Sequence, residues 1–319
     1  MSGHHGHSGG HGGHGAGNGG SDGGSASTAG RFRGRLAVTF ALTAGFFVVE
    51  LVVGLVTNSL ALIADAGHMA TDVVALGASL LATRIAARPD GTGRWSYGRY
   101  RAEVFSAGLT VLLMLGVGVF VIVEAVGRAG EGGEVAVSSL PLLIVGLIGL
   151  AINAVGLILL KAGSKESLNL RAAYLEVLGD AAGSIGVIIA AGLIAWTGSS
   201  VWDLVVALII AVFVLVRAVG LGRSVLRVLG QQVPDGVDVG VVAADLGAVQ
   251  GVVSVHDLHL WELTSGMTVA TAHLVTTPGV DAHRVLDQAR DVLALQHAIA
   301  HATLQVEPAD HTSCGEIGW

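Results

Sequence analysis

The stretch LALIADAGHMATDVVALGASLLA, residues 60–82, is almost entirely apolar, yet it carries Asp65, His68 and Asp72. Its length suits an α-helix that crosses a bilayer, which needs about 20 residues. Side chains three or four residues apart lie on one side of a helix, so the two carboxylates and the imidazole share a face. Ionisable groups at this depth are costly and usually mark an ion pathway inside a helix bundle. The stretch therefore predicts a membrane-spanning helix with an ion site on one side.

The composition of the chain is that of a membrane protein. Hydrophobic residues make up 52% of the 319 residues and charged residues 13%, with a mean hydropathy of +0.70. A soluble domain would carry about 25% charged residues. The single cysteine excludes an intrachain disulfide and argues against a cysteine-rich metal centre. The first 30 residues lack the apolar core of a signal peptide.

Six apolar stretches are long enough to span a bilayer. Lys and Arg cluster before the first stretch and after the second, fourth and sixth, whereas the three intervening loops together hold only Arg128. The positive-inside rule therefore predicts that both ends of the chain are cytoplasmic. The predicted spans are 36–57, 59–83, 102–126, 140–161, 168–196 and 201–219.

After Gly220 the pattern changes to that of a small α+β domain. The predicted order is αββαβ, with helices near 237–249 and 281–297 and a hairpin turn at Ser265 and Gly266. Four regions follow from these boundaries. They are a disordered His/Gly-rich tail over 1–30, a six-helix transport domain over 31–220, a cytoplasmic domain over 221–309 and a flexible tail over 310–319.

A second pair of ionisable residues lies in the fifth span, where Glu176 and Asp180 are four residues apart. The pair lies at a depth comparable to that of His68 and Asp72. If the two helices pack together, one imidazole and three carboxylates converge, a set that suits a tetrahedral divalent cation, Zn2+ first. The surplus negative charge must be offset by a retained proton or a neighbouring donor. We expect Glu176 to carry a proton in part of the transport cycle.

Three other polar residues in the spans are weaker candidates. Glu50 and Asn153 could support or gate the ion site, but interhelical hydrogen bonding is the favoured interpretation. Asp203 lies near the outer end of the sixth span, where we expect it to be solvated or to attract cations at the exit.

Histidines outside the spans indicate two further candidate sites. A hairpin turning at residues 265 and 266 pairs positions whose numbers sum to 531, which makes His256 and His273 diagonal neighbours on one face and places His259 on the other. The N-terminal tail is a candidate for metal capture, although a flexible tail or an expression artefact explains it equally well. Its histidines are His4, His5, His7, His11 and His14.

Four motifs occur together in residues 31–309, namely ADAGHMATD, YGRYRAE, NLRAAYLEVLGDAAGSIGVI and VHDLHLWELTSGMTVATAHL. This combination resembles the cation diffusion facilitator family, in its zinc, cobalt and cadmium resistance branch. The resemblance implies six transmembrane helices, a metallochaperone-like cytoplasmic domain, a homodimer in a lipid bilayer and exchange of metal for protons.

The resemblance also implies roles for individual residues. The family's transport site maps onto His68, Asp72 and Asp180, and its fourth position, commonly His or Asp, is Glu176 here. This departure bears on metal preference more than on function. The family's cytoplasmic metal positions match His256 and His273, and they match His301 and Glu307 less closely.

Together these features predict an exporter of divalent cations, first of all Zn2+, that works by metal/proton antiport. Ligands must lose protons to bind metal, and His68, with an unperturbed pKa of about 6.5, is the expected proton-coupled ligand. Zn2+ is also expected as a regulatory ligand of the cytoplasmic domain. The alternatives are a broader exporter of Co2+, Cd2+, Mn2+ or Fe2+, a passive channel, and a membrane-anchored metal-sensing protein. No phosphate-binding loop motif occurs, which disfavours an enzyme or an ATP-driven pump, and we expect no nucleic-acid partner.

Overall fold

A computed structural model of the protein describes residues 23–88, 93–130, 137–162 and 168–310. The five histidines of the predicted metal-capture tail lie outside the described residues. Within them, six helices are long and apolar enough to cross a membrane. These helices are α1 (Gly23–Thr57), α2 (Leu60–Ala86), α3 (Arg101–Gly130), α4 (Ser139–Lys161), α5 (Leu168–Thr197) and α6 (Val201–Leu229).

Two helices, α1 and α6, extend furthest beyond the predicted spans. Helix α1 begins at Gly23, so the last part of the predicted tail, residues 23–30, is helical. Helix α6 continues past position 219 to Leu229. The apolar run ends where Arg217, Arg223 and Arg227 enter the sequence, but arginine is a good helix former, so the helix outlasts the hydrophobic pattern.

The helices pack closely where small residues face their neighbours. A Cβ atom added at Gly149 of α4 would lie 2.6 Å from Cζ of Phe46 in α1 and 2.9 Å from Oγ of Ser184 in α5. A side chain there would therefore push apart three helices. Large apolar side chains on the outer faces are exposed, such as Ile158 at 73% and Leu112 at 67%, as lipid contact requires.

The cytoplasmic domain has the predicted order αββαβ. Its elements form a three-stranded sheet of order β1-β2-β3, in which β1 and β2 are antiparallel and β2 and β3 are parallel. Both helices bury an apolar face on this sheet, for example through Leu246 and Leu293. The elements are α7 (Val239–Gly247), β1 (Val252–Glu262), β2 (Thr268–Thr276), α8 (Ala282–Gln296) and β3 (His301–Pro308).

The hairpin between β1 and β2 contacts the membrane domain. The hydroxyl group of Thr264 donates a hydrogen bond of 2.9 Å to Oε2 of Glu103, in the first turn of α3. The ring of Tyr97, in the segment before α3, packs edge-on against the ring of His301 with 5.8 Å between the centroids. The cytoplasmic domain is therefore joined to the loop that follows α2.

Asp203 is buried, at 1% exposure, which corrects the expectation that it is solvated or attracts cations at the exit. Its Oδ1 accepts a hydrogen bond of 2.6 Å from the hydroxyl group of Ser59, and its Oδ2 accepts one of 2.6 Å from the N–H group of Leu60. The Ser59 hydroxyl in turn accepts from the N–H group of Leu62. Asp203 of α6 thus satisfies the unpaired donors at the start of α2, where a helix favours negative charge.

We expect Asp203→Ala to lower the stability of the protein by about 1–3 kcal/mol, because it leaves buried donors at the start of α2 without an acceptor. The measurement is the unfolding temperature of the full-length protein in detergent. Asp287→Ala, at an exposed position of α8, is the matched control and should leave this temperature unchanged. Equal unfolding temperatures for the Asp203→Ala variant and the wild type would contradict the capping role.

Candidate metal centres

The four predicted residues of the membrane site come together where α2 meets α5. His68 is 2% exposed and Asp180 is 5% exposed. Nδ1 of His68 lies 3.8 Å from Oδ2 of Asp72, and Nε2 lies 3.9 Å from Oδ1 of Asp180. Potential ligand atoms of His68, Asp72 and Glu176 all lie within 4.8 Å of one another. The imidazole is therefore between the carboxylates of the two helices.

Two buried atoms of this group have no hydrogen-bond partner among the described residues. They are Nδ1 of His68 and Oδ1 of Asp180. Buried polar atoms in proteins are almost always paired, so an unpaired nitrogen and an unpaired oxygen in one buried cluster indicate that a further ligand binds there. An ion held between His68 and Asp180 would satisfy the oxygen of Asp180, and the carboxylate of Asp72 lies beside Nδ1 of His68.

Arg217 of α6 also reaches this site, which sequence analysis missed. Its Nη1 lies 3.1 Å from Nε2 of His68, and its Nη2 donates a hydrogen bond of 2.6 Å to Oε1 of Glu176. From the sequence, Arg217 was counted with the positive charges that follow the sixth span, although it lies within the predicted span 201–219. The rule that ionisable residues within a span mark an ion pathway could have identified it.

The structure therefore supplies a counter-charge for Glu176 in the form of a guanidinium group. From the sequence, the negative charge of Glu176 could be offset by a retained proton or by a neighbouring donor, and we expected the proton. The 2.6 Å contact between Nη2 of Arg217 and Oε1 of Glu176 is such a neighbouring donor. The site is completed on the α6 side by Phe213, whose ring meets that of His68 edge-on with 6.1 Å between the centroids.

Asp65 lies beside the site without joining the four residues. It is 3% exposed, and a Cβ atom added at Gly183 of α5 would lie 2.6 Å from its Oδ1. Glycine at position 183 thus makes room for the carboxyl group between α2 and α5. Glu50 of α1 is also buried, at 1% exposure, and its Oε2 has no hydrogen-bond partner among the described residues.

Asn153 takes the role favoured from the sequence. Its Nδ2 donates a hydrogen bond of 3.3 Å to Oγ of Ser184, which links α4 to α5. The residue is 2% exposed, so this bond lies within the bundle. It corresponds to the interhelical bonding that polar residues make in membranes.

A second cluster lies on the sheet of the cytoplasmic domain. Nδ1 of His273 lies 2.7 Å from Oε1 of Glu307, and Nε2 of His256 lies 3.4 Å from Oε2 of the same carboxylate. The two imidazole rings have centroids 5.0 Å apart. Potential ligand atoms of His256, Asp257 and His273 lie within 4.8 Å of one another, which adds Asp257 to the residues predicted from the sequence.

The predicted register of the hairpin was wrong. His256 pairs directly with His273, rather than diagonally, because the turn brings Glu262 opposite Thr268 and a bulge interrupts β1 between His256 and His259. Asp257 in this bulge has a φ of +49°. The inserted residue shifts the core-facing positions of β1 from Val255 to Leu258, and a prediction that assumed strict alternation did not include this shift.

The structure does not bring His301 to this cluster. Strands β2 and β3 are parallel, and Val269 pairs with His301 while Val275 pairs with Glu307. His301 therefore begins β3 at the opposite end from Glu307. The prediction that His259 lies on the other face was wrong. His259 pairs with Thr271, two residues from His273, so the bulge places it at an exposed position on the face that carries His256 and His273.

Comparisons with known proteins match both parts of the chain. A family described as the cation efflux transmembrane domain matches residues 36–229, and one described as the cytoplasmic domain of cation efflux proteins matches residues 234–309. The metal cation efflux system protein CzcD of Cupriavidus metallidurans is 41% identical over 275 residues, which cover 86% of each chain.

Two further relatives have similar coverage. The cadmium, cobalt and zinc/H(+)-K(+) antiporter of Bacillus subtilis is 31% identical over 86% of this chain and 89% of its own. The zinc transporter ZitB of Escherichia coli is 35% identical over 86% and 87%. Among solved structures, the metal-bound C-terminal domain of CzcD from Cupriavidus metallidurans is 40% identical, covers 22% of this chain and 99% of its own, and has a TM-score of 0.22.

The cytoplasmic cluster can be tested with two histidines of the same domain. We expect His273→Ala to weaken the metal binding of this cluster at least about tenfold, because a three- or four-ligand site loses one of its ligands. His283→Ala, at an exposed position of α8, should leave it unchanged. The measurement is calorimetric titration of the full-length protein with Zn2+. Equal effects of the two substitutions would show that the histidine pair is not a metal site.

Proposed function

The protein belongs to the cation efflux family, and on that premise we propose that it exports Zn2+ across the cytoplasmic membrane in exchange for protons. Members of this family are transporters of divalent metal cations, not enzymes. The observation that carries the proposal is the contact of His68 with carboxylates of α2 and α5, buried in the membrane domain.

The donor set supports Zn2+ as the cargo. An imidazole nitrogen together with carboxylate oxygens is a common ligand set of zinc sites with an exchangeable position. Relatives at 31–41% identity include proteins named for zinc, cadmium and cobalt. One nitrogen and several oxygens also suit Co2+, Cd2+ and other divalent ions, so a broader exporter of the same type is the second candidate.

The same donor set supports exchange with protons. Imidazole binds metal only in its neutral form and carboxylates only when ionised, so protons and metal compete for His68, Asp72 and Asp180. On the cytoplasmic side the deprotonated site takes up metal. When the site opens to the outside, protons that enter displace the ion, and the protonated site returns. A channel would need weak sites in series, whereas here the candidate ligands are clustered around His68.

We further propose that the cytoplasmic domain assembles a homodimer and binds Zn2+ as a regulatory ligand. The match to the cytoplasmic domain of cation efflux proteins supports this assignment. His256, His273 and Glu307 are the residues that would hold the ion. The hydrogen bond from Thr264 to Glu103 connects this domain to α3, so a change in its position reaches the membrane domain.

The antiport site can be tested in proteoliposomes loaded with a pH-sensitive dye. We expect the wild type to move protons when Zn2+ is added, to export Zn2+ faster against a more acidic outside, and to lose this acceleration with an uncoupler. Asp180→Asn should abolish zinc-driven proton movement because it removes a buried ligand of the site. Glu124→Gln, an exposed acidic residue of α3, is the control. Metal efflux that ignores the proton gradient would favour a channel.

Glu176 sets a separate expectation for metal choice. Replacing its oxygen by an imidazole nitrogen in Glu176→His should retain transport, shift selectivity towards Zn2+ and change the pH dependence, because nitrogen ligands favour Zn2+ over Mn2+. Competition between Zn2+ and Mn2+ or Co2+ in vesicles measures this shift, with Glu124→His as the control. Identical selectivity and pH profiles would show that Glu176 does not contact the ion.

A further inference from the structure

We propose that Arg217 is a tethered counter-cation that occupies the transport site in its metal-free state and must be displaced before a divalent ion can bind. This inference rests on the proposed function of the site. It assigns to Arg217 a part in selecting the charge of the cargo.

Arg217 contacts the ring nitrogen of His68 that an ion would use. Of the two ring nitrogens of His68, Nε2 is the one that lies close to Asp180, at 3.9 Å from its Oδ1. An ion held by His68 and Asp180 together must therefore bind Nε2. Nη1 of Arg217 lies 3.1 Å from this same nitrogen, and an arginine nitrogen is always a donor, so it takes the Nε2 lone pair. Arg217 and a metal ion cannot occupy Nε2 at the same time.

The charge balance of the site favours a divalent cation over the guanidinium group. Asp72, Glu176 and Asp180 together carry up to three negative charges, and the guanidinium group supplies one positive charge. The guanidinium group also donates a 2.6 Å hydrogen bond to Glu176. A monovalent cation that displaced it would bring no additional charge and would break both contacts of Arg217. A divalent cation brings one more unit of charge into a site surrounded by carboxylates, which favours the exchange.

The guanidinium group of Arg217 has room to move out of the site. The side chains of Arg217 and Glu176 are 29% and 43% exposed, whereas those of His68 and Asp180 are 3% and 7% exposed. The ion pair thus lies at the open side of the group and the two shared ligands lie at its closed side. The long aliphatic stem of arginine allows the charged group to swing away while its Cα stays in α6. Withdrawal of the guanidinium group frees Nε2 of His68 and Oε1 of Glu176 at once.

Titration of the full-length protein with Zn2+ tests this exchange. The relevant component of binding is the one that is lost in Asp180→Asn, which separates the transport site from the cytoplasmic cluster and the N-terminal histidines. We expect Arg217→Gln to strengthen this component at least about tenfold, because a competing charge a few ångströms from the ion is removed. Arg223→Gln removes an exposed arginine of the same helix and is the matched control. Unchanged or weaker binding in Arg217→Gln would overturn the proposal.

A second measurement separates displacement from a fixed electrostatic effect. Phenylglyoxal modifies accessible guanidinium groups, and mass spectrometry locates the product. Saturating Zn2+ should raise the labelling of Arg217 in the wild type several-fold while Arg223 stays unchanged. Labelling of Arg217 that ignores Zn2+ would overturn displacement. If the wild type and Asp180→Asn bind Zn2+ identically, the proposed transport site itself fails, and this outcome is distinct from both results above.

Discussion

The acidic side chains inside the membrane domain constrain the way its helices pack. A carboxylate in a medium without water needs a hydrogen-bond donor, a proton or a cation. Two of these solutions occur here, and each joins a different pair of helices. Asp203 of α6 accepts from the start of α2, and Glu176 of α5 contacts Arg217 of α6. The positions of α2, α5 and α6 therefore follow from charge as much as from apolar packing.

This constraint explains why the site could be largely predicted from the sequence. The i, i+4 spacing of His68 with Asp72 and of Glu176 with Asp180 fixes two helical faces, and their burial cost requires that the faces meet. The distances of 3.8 and 3.9 Å from His68 to its neighbours agree with that expectation. Arg217 was missed because a cation near a span end fits the positive-inside pattern, and only its contacts distinguish a flanking charge from one within the site.

The cytoplasmic domain shows where a sequence pattern stops being informative. The order αββαβ follows from hydrophobic periodicity and turn residues, and it was correct. The register of β1 and β2 depends on the turn and on the bulge at Asp257, a residue in a left-handed conformation. Together they move His256 from a diagonal to a direct position opposite His273. Local backbone conformation thus decides which histidines meet Glu307, and a prediction from strict alternation does not include it.

The cap that Asp203 forms at the start of α2 has a consequence for how the bundle can open. Its carboxylate binds Ser59 and Leu60 at the outer ends of α2 and α6, through bonds of 2.6 Å. Two helices pinned at one end separate with least loss of buried hydrogen bonds by pivoting about that end, and the displacement grows with distance from the pivot. Arg217 lies about four helical turns along α6 from this pin. A small angular change at the pin would therefore move the guanidinium group relative to the imidazole.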